Sequence, residues 1–187
     1  LGCPAPVQKR QGAGSFLAAN RDKLVPILQC LRRRTSLPLS VKIRLGPRLD
    51  DSLLAQTCKF YEDQGVDCIT IHARLHGEKF CRKPKWSAIG AGKKAVSIPV
   101  FANGGIFSVA DARRCLDESG ADGVMIGRAA VQMPWLCSQI ARDIYGVKES
   151  NNSFNKRDVF VLFCNLLEER FPSEKRLGRL KQFSRYY

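Results

Sequence analysis

Residues 98–128 read IPVFANGGIFSVADARRCLDESGADGVMIGR, and this stretch decides the fold. A short apolar run over 98–102 stops at Asn103-Gly104-Gly105. Residues 108–118 then space their apolar positions as a helix does, and Gly120 ends them. A second apolar run over 122–126 stops at Gly127-Arg128. The order is strand, glycine turn, helix, strand, glycine turn. A helix between two buried strands is the crossover that makes them parallel. The strands are short, apolar and rich in β-branched residues, as in a parallel sheet covered by helices.

The pattern repeats outward from there. Residues 20–34 place Leu24, Ile27, Leu28 and Leu31 at helical spacing, with Asn20 as the cap. Residues 40–45 alternate, with Val41, Ile43 and Leu45 on one face of a strand. Residues 52–64 read as a helix with Ser52 as cap and Gly65 as stop. Residues 67–73 read as a strand, and 84–95 hold a short helix around Trp86 and Ile89. Each β-α unit takes about 25–30 residues, which is the signature of an α/β protein. From about Tyr145 the pattern changes. Residues 146–155 read as a linker, and 156–170 and 173–187 as helices. The last helix interleaves Arg176, Arg179, Lys181 and Arg185 with Phe183, Tyr186 and Tyr187.

Polar residues gather in the last turn of each strand or just after it: Lys42, Arg44, His72, Arg74, Asn103 and Arg128, with Cys3 in a comparable turn. In a (β/α)8 barrel such positions converge on the face that carries the active site. A doubly wound sheet would gather them along one edge.

Composition narrows the function. Hydrophobic residues make up 44% and charged residues 26% of the 187, so the chain is not a disordered tail. No apolar run approaches the ~20 residues of a membrane helix. The net charge is +14, which favours an acidic partner, nucleic acid first. That charge is uneven. Residues 1–50 carry ten basic and two acidic side chains and residues 151–187 carry eight and four, whereas residues 101–150 carry five and six. Eight cysteines are scattered without CxxC pairs or metal-ligand spacing, which indicates a reducing compartment, no disulfides and no metal site.

Four features carry chemistry. The glycine turns at Asn103-Gly104-Gly105 and Gly127-Arg128 let backbone N–H groups approach an anion, and two such turns late in a barrel form a phosphate site. Lys42 points away from its apolar neighbours, which is costly unless it meets an anion or polar ligand. His72 ends an apolar strand one β-α unit later and is read in register with Lys42. Cys3, in the turn Gly2-Cys3-Pro4, presents a thiol from a loop. It could act as a general acid or, with an activating neighbour, as a nucleophile, and the residues alone do not choose. His76 is read as exposed.

Together these segments resemble the tRNA-dihydrouridine synthase family. The resemblance rests on Leu1-Gly2-Cys3-Pro4, Gly12-Ala13-Gly14-Ser15, Val41-Lys42-Ile43-Arg44-Leu45-Gly46 and Ile71-His72-Ala73-Arg74, and on 98–106, 120–130 and Pro134-Trp135, all in the family's order and spacing. It implies an FMN-containing TIM barrel acting on tRNA, reduced by NADPH or NADH. Cys3 would be the proton donor. Lys42 and His72 would contact the flavin ring or ribityl chain. Asn103, Gly104, Gly105, Gly127 and Arg128 would hold the FMN phosphate, with Arg44 and Arg74 near the flavin or the target uridine. Asn103-Gly104-Gly105 has Gly where many members of the family have Asp, and the loop after His72, Leu75 to Phe80, also departs from the commoner pattern.

The expected organisation is the C-terminal part of a TIM barrel over 1–145, from the end of strand four to helix eight. A linker over 146–155 and the start of a helical tRNA-binding domain over 156–187 follow. A complete barrel takes ~250 residues, so the chain reads as a truncated two-domain enzyme. It is expected in the cytoplasm, as a monomer and with no membrane attachment. The alternatives are another FMN-dependent barrel acting on a small pyrimidine-like molecule, or a non-catalytic RNA-binding remnant.

Overall fold

The computed structural model describes residues 1–148 and 155–185. In chain order the elements are α1 (Pro6–Arg10), α2 (Gly14–Ala18), α3 (Arg21–Arg34), β1 (Ser40–Arg44), α4 (Asp51–Asp63), β2 (Cys68–His72), α5 (Ile89–Lys94), β3 (Val100–Asn103), α6 (Val109–Ser119), β4 (Gly123–Met125), α7 (Arg128–Gln132), α8 (Leu136–Tyr145), α9 (Lys156–Arg170) and α10 (Ser173–Ser184). A 3-10 turn at Trp86–Ala88 precedes α5. They form two compact units, one of Leu1–Ile106 with Asp111–Met125, the other of Phe107–Ala110 with Ile126–Tyr187.

The first unit holds a parallel sheet in the order β1-β2-β3-β4. Val41, Ile69 and Val100 stand level, as do Ile43, Ile71, Ala102 and Val124. That face is apolar, and its residues on β1–β3 are buried. Leu54 and Cys58 of α4 reach it beside Gly92 of α5, whose position leaves no room for a side chain between Cys58 and Ile71. The opposite face carries the strands' polar residues, with Phe101 and Met125 among them. Lys42 stands level with Thr70 and Phe101, and Arg44 with His72, Asn103 and Met125. Alternation along each strand thus sends hydrocarbon to the helices and chemistry to the other side.

Local signals explain most boundaries. Asn20 caps α3 by accepting from the Lys23 N–H at 3.4 Å. Gly65 and Gly120 follow α4 and α6 with φ of +77° and +63°, the left-handed stop that glycine favours. The cap of α4 is Asp50, not Ser52: Asp50 is extended and its carboxylate accepts from the Leu53 N–H at 2.9 Å, while Ser52 already lies inside the first turn. In α3, Leu24 and Leu28 are buried but Ile27 and Leu31 stay exposed. His76 is half-buried rather than exposed, and its N–H donates to Gly46 O at 2.8 Å.

In the second unit, α9 and α10 pack through Phe183, whose ring stacks on Phe163 with centroids 3.8 Å apart. Arg179 lies 4.0 Å over the Phe171 ring, and Arg176 donates to the Phe171 and Glu168 carbonyls. Phe183, Arg176 and Arg179 therefore hold the helix pair together, and Lys181 and Arg185 remain at the surface. Tyr186, Tyr187 and residues 149–154 of the expected linker lie outside the described residues.

Candidate active site

The C-terminal ends of β1, β2 and β3 bring Arg44, His72 and Asn103 into one row, with Lys42 one layer deeper on the same face. His72 is level with Arg44, so the residue in register with it is not Lys42. Arg44, His72, Arg74 and Asn103 are all buried, whereas Lys42 is exposed. Among the described residues Lys42 makes no ion pair. Although the residue is exposed, partial desolvation of its ammonium beside the strand ends lowers its pKa, and the neighbouring Arg44 lowers it further.

The turn after β3 is pressed against this row. A Cβ on Gly104 would lie 2.7 Å from His72 Cδ2 and 3.0 Å from an Arg74 terminal nitrogen, and one on Gly105 would lie 2.7 Å from Pro84 Cγ. Both glycines have positive φ, +112° and +72°. Close approach therefore requires glycine here even before any ligand is considered. The Trp86 indole N–H donates to Gly104 O at 2.8 Å and fixes the turn from below. The Asn103 side-chain amide donates to Met125 O at 2.7 Å. Neither Gly104 nor Gly105 donates its N–H to an acceptor among the described residues.

The loop over 75–85 closes one side. Arg74 lies 3.0 Å from His72 Nε2 and donates to the carbonyls of Phe80 and Arg82. Arg44 donates to the carbonyls of Leu75 and Glu78 at 2.8 and 3.3 Å. The Glu78 carboxylate accepts from the Leu75 N–H and pairs with Lys85, which holds its pKa below the usual range. Phe80 stacks beside the His72 ring with centroids 6.1 Å apart. Residue spacing did not foresee the parts of Glu78, Lys85, Pro84 and Trp86. The available signal was the pair of opposite charges bracketing the loop.

Cys3 is exposed, as its turn sequence suggested. Its carbonyl accepts from the Ser15 N–H at 2.9 Å. Arg44 has its pKa lowered by burial, an effect partly offset by its surroundings on the Cys3 and Glu78 side. Cys58 and Cys115 are the opposite case: both are buried, and burial raises each to about 12. Gly127 and Arg128 belong to the second unit, at the start of α7. A side chain on Gly127 would meet open space, and the Arg128 guanidinium lies 5.2 Å over the Phe107 ring.

Among the described residues, the row at the strand ends offers an ammonium, guanidinium groups, an imidazole and backbone N–H groups and no carboxylate of its own, a set that suits an anionic, acceptor-rich ligand such as a phosphate. The described residues contain no metal-ligand cluster and no helix long and apolar enough to cross a membrane.

A family profile described as "Dihydrouridine synthase (Dus)" matches residues 1–181. A probable tRNA-dihydrouridine synthase of Rhodobacter capsulatus is 39% identical over 146 residues, covering 78% of this chain and 45% of that protein. The tRNA-dihydrouridine synthase B of Pseudomonas aeruginosa is 35% identical over 140 residues, 75% of this chain and 42% of that one. The same enzyme of Pectobacterium carotovorum is 39% identical over 140 residues, 75% and 44%. The chain thus spans less than half the length of these relatives. Among solved structures, a putative phosphonomutase from Burkholderia cenocepacia superposes with a TM-score of 0.49 at 18% identity, over 67% of this chain and 61% of that one, too loosely to carry an argument. Profile and relatives agree with the motifs: the chain belongs to the dihydrouridine synthase family, and its four parallel β-α units are part of that family's TIM barrel.

Proposed function

We propose that this chain serves the flavin-dependent reduction of uridine to 5,6-dihydrouridine in tRNA. The observation that carries the reading is the acid-free polar row of Lys42, Arg44, His72 and Asn103, with Gly2, the residue before Cys3, packed on the backbone of Ile43 and Arg44. FMN, when bound, supplies the hydride that reaches C6 of the uracil, and NADPH or NADH supplies the electrons. Cys3 gives its thiol proton to C5, so hydride and proton together saturate the 5,6 double bond. Lys42 and His72 hold the flavin ring or ribityl chain. Asn103, Gly104 and Gly105 bind the phosphate, and Gly127 and Arg128 keep the same proposed role. Arg44 and Arg74 act near the flavin and uridine by organising the 75–85 loop whose carbonyls they hold.

The basic first half and C-terminal end hold the tRNA backbone, since the charge surplus lies in residues 1–100 and 151–187. A uridine inside folded tRNA must leave its stack to reach such a face. Helices α9 and α10 begin the tRNA-binding helical domain, with Lys181 and Arg185 as phosphate contacts.

Deleting the gene should abolish dihydrouridine at one or more tRNA positions by nucleoside mass spectrometry. Unchanged dihydrouridine would overturn the reading. In the full-length protein, Cys3→Ala should retain flavin absorbance and lower turnover by about 10²–10⁴-fold, the usual worth of a general acid. Reduction of free pyrimidine without reduction of tRNA would replace tRNA as the substrate.

A further inference from the structure

We infer that Gly14 is a positioning residue for Cys3, locking the turn that carries the thiol. The inference rests on reading Cys3 as the proton donor and adds what holds that donor in place.

No strand or helix contains Cys3; it lies in the exposed turn ahead of α1. Two contacts seat it instead. On one side Gly2 lies flat on β1, where a Cβ would stand 3.0 Å from the Ile43 carbonyl carbon and 3.3 Å from the Arg44 nitrogen. On the other, the Ser15 N–H donates to the Cys3 carbonyl at 2.9 Å. Gly14 makes that second contact possible. A Cβ on Gly14 would fall on the Cys3 carbonyl oxygen, far inside van der Waals contact, and 3.4 Å from Cys3 Cβ. The obstacle is Cys3's own peptide, so no flexible side chain can absorb the clash. The turn would have to shift by about 1 Å, a displacement that can cost about a hundredfold in rate when it moves a reacting group. Because Gly2 sits on β1, the lock references the thiol to the strand that carries Lys42 and Arg44.

Gly12 supplies a matched control. Its φ is +69° against +60° for Gly14, yet nothing lies within 4 Å of a Cβ placed there. Gly12→Ala and Gly14→Ala carry the same left-handed strain, and only the second touches Cys3.

The test uses the full-length, FMN-loaded protein. Iodoacetamide labelling is followed at each cysteine by peptide mass spectrometry, beside kcat and KM for tRNA. Exposed Cys81 and Cys137 are internal references, and buried Cys58 and Cys115 report unfolding. Gly14→Ala should change the Cys3 labelling rate at least ~3-fold and lower kcat by about 10–100-fold, with KM within about twofold. Gly12→Ala should match the wild type in all three. Ser15→Pro removes the N–H that donates to the Cys3 carbonyl and should reproduce the Gly14→Ala signature. Equal effects of Gly14→Ala and Gly12→Ala would overturn the inference. So would Cys58 and Cys115 becoming labelled together with Cys3 in both the Gly14 and Ser15 variants, which would mean general loosening. Full turnover by Cys3→Ala would instead sink the proton-donor reading, and the labelling contrast would stand without it.

Discussion

Gly90 and Gly92 lie two residues apart in α5, and the same substitution should have opposite signs at the two sites. Glycine to alanine in a helix interior gains about 0.8–1 kcal/mol. In so short a helix roughly half of that, about 0.5 kcal/mol, is a fair expectation. At Gly90 the added methyl meets only the Ser119 carbonyl at 3.5 Å, an ordinary contact, so the gain survives. At Gly92 it would stand 2.8 Å from Cys58 Sγ and 3.0 Å from Ile71 Cδ1. Both neighbours are 0% exposed and have no space into which to yield. Overpacking of this kind costs about 1–3 kcal/mol. Gly92→Ala should therefore destabilise by roughly 0.5–2.5 kcal/mol, while Gly90→Ala stabilises by about 0.5 kcal/mol. Urea titration of the full-length variants, read at an unchanged slope, measures both. Gly92→Ala equal to or more stable than Gly90→Ala would refute the packing of α5 between α4 and β2.

Two further predictions concern groups that fasten the unit. Glu62 accepts from the Ser97 N–H, the Ser97 hydroxyl, the Ile98 N–H and Lys59, which pull its carboxyl down from 4.5 to about 2. A folded-state value below the unfolded one means stability present above pH 4.5 and lost as the pH falls toward 2. Glu62→Gln should flatten that part of an acid-unfolding curve, and an unaltered slope would remove Glu62 from the account. Trp86→Phe deletes the bond to Gly104 O and leaves part of the buried indole's volume unfilled, and should cost more than about 1 kcal/mol in urea unfolding. Unchanged stability would show that the indole N–H does not fasten the turn.

The two faces of the sheet were legible because alternation is a local property. Val41 and Ile43 flank Lys42, and Thr70 and His72 alternate with Ile69 and Ile71, so each strand announces its own polar side. The level at which neighbouring strands meet was not legible, because it depends on pairing between residues about 28 positions apart and not on either strand's own pattern. That is why His72 pairs with Arg44 rather than with Lys42. Asp50 and Ser52 are both capping residue types, and only the extended backbone at Asp50 distinguishes them. Helices α1 and α2 have five residues each, too few for a period to show. Their position at strand ends and the family resemblance placed Arg44 and Arg74 near the site. Neither could reveal that the carbonyls of Leu75, Glu78, Phe80 and Arg82 receive them. Sequence spacing placed Phe183 among the basic residues of the last helix and gave no sign of its partner Phe163, which lies on a different helix.

The strand order β1-β2-β3-β4 bears on how the chain comes to be folded during translation. Every pairing joins residues only 22–31 positions apart, from Phe101 with Gly123 to Ile69 with Val100. Each strand emerging from the ribosome thus finds its neighbour already synthesised, and docking one β-α unit does not wait for a distant one. Synthesis delivers about 5–20 residues per second, so a new unit arrives every few seconds, long after closure of its own short loop. The growing edge is covered in the order in which it is made, which shortens the time any one unpaired strand is exposed to a wrong partner.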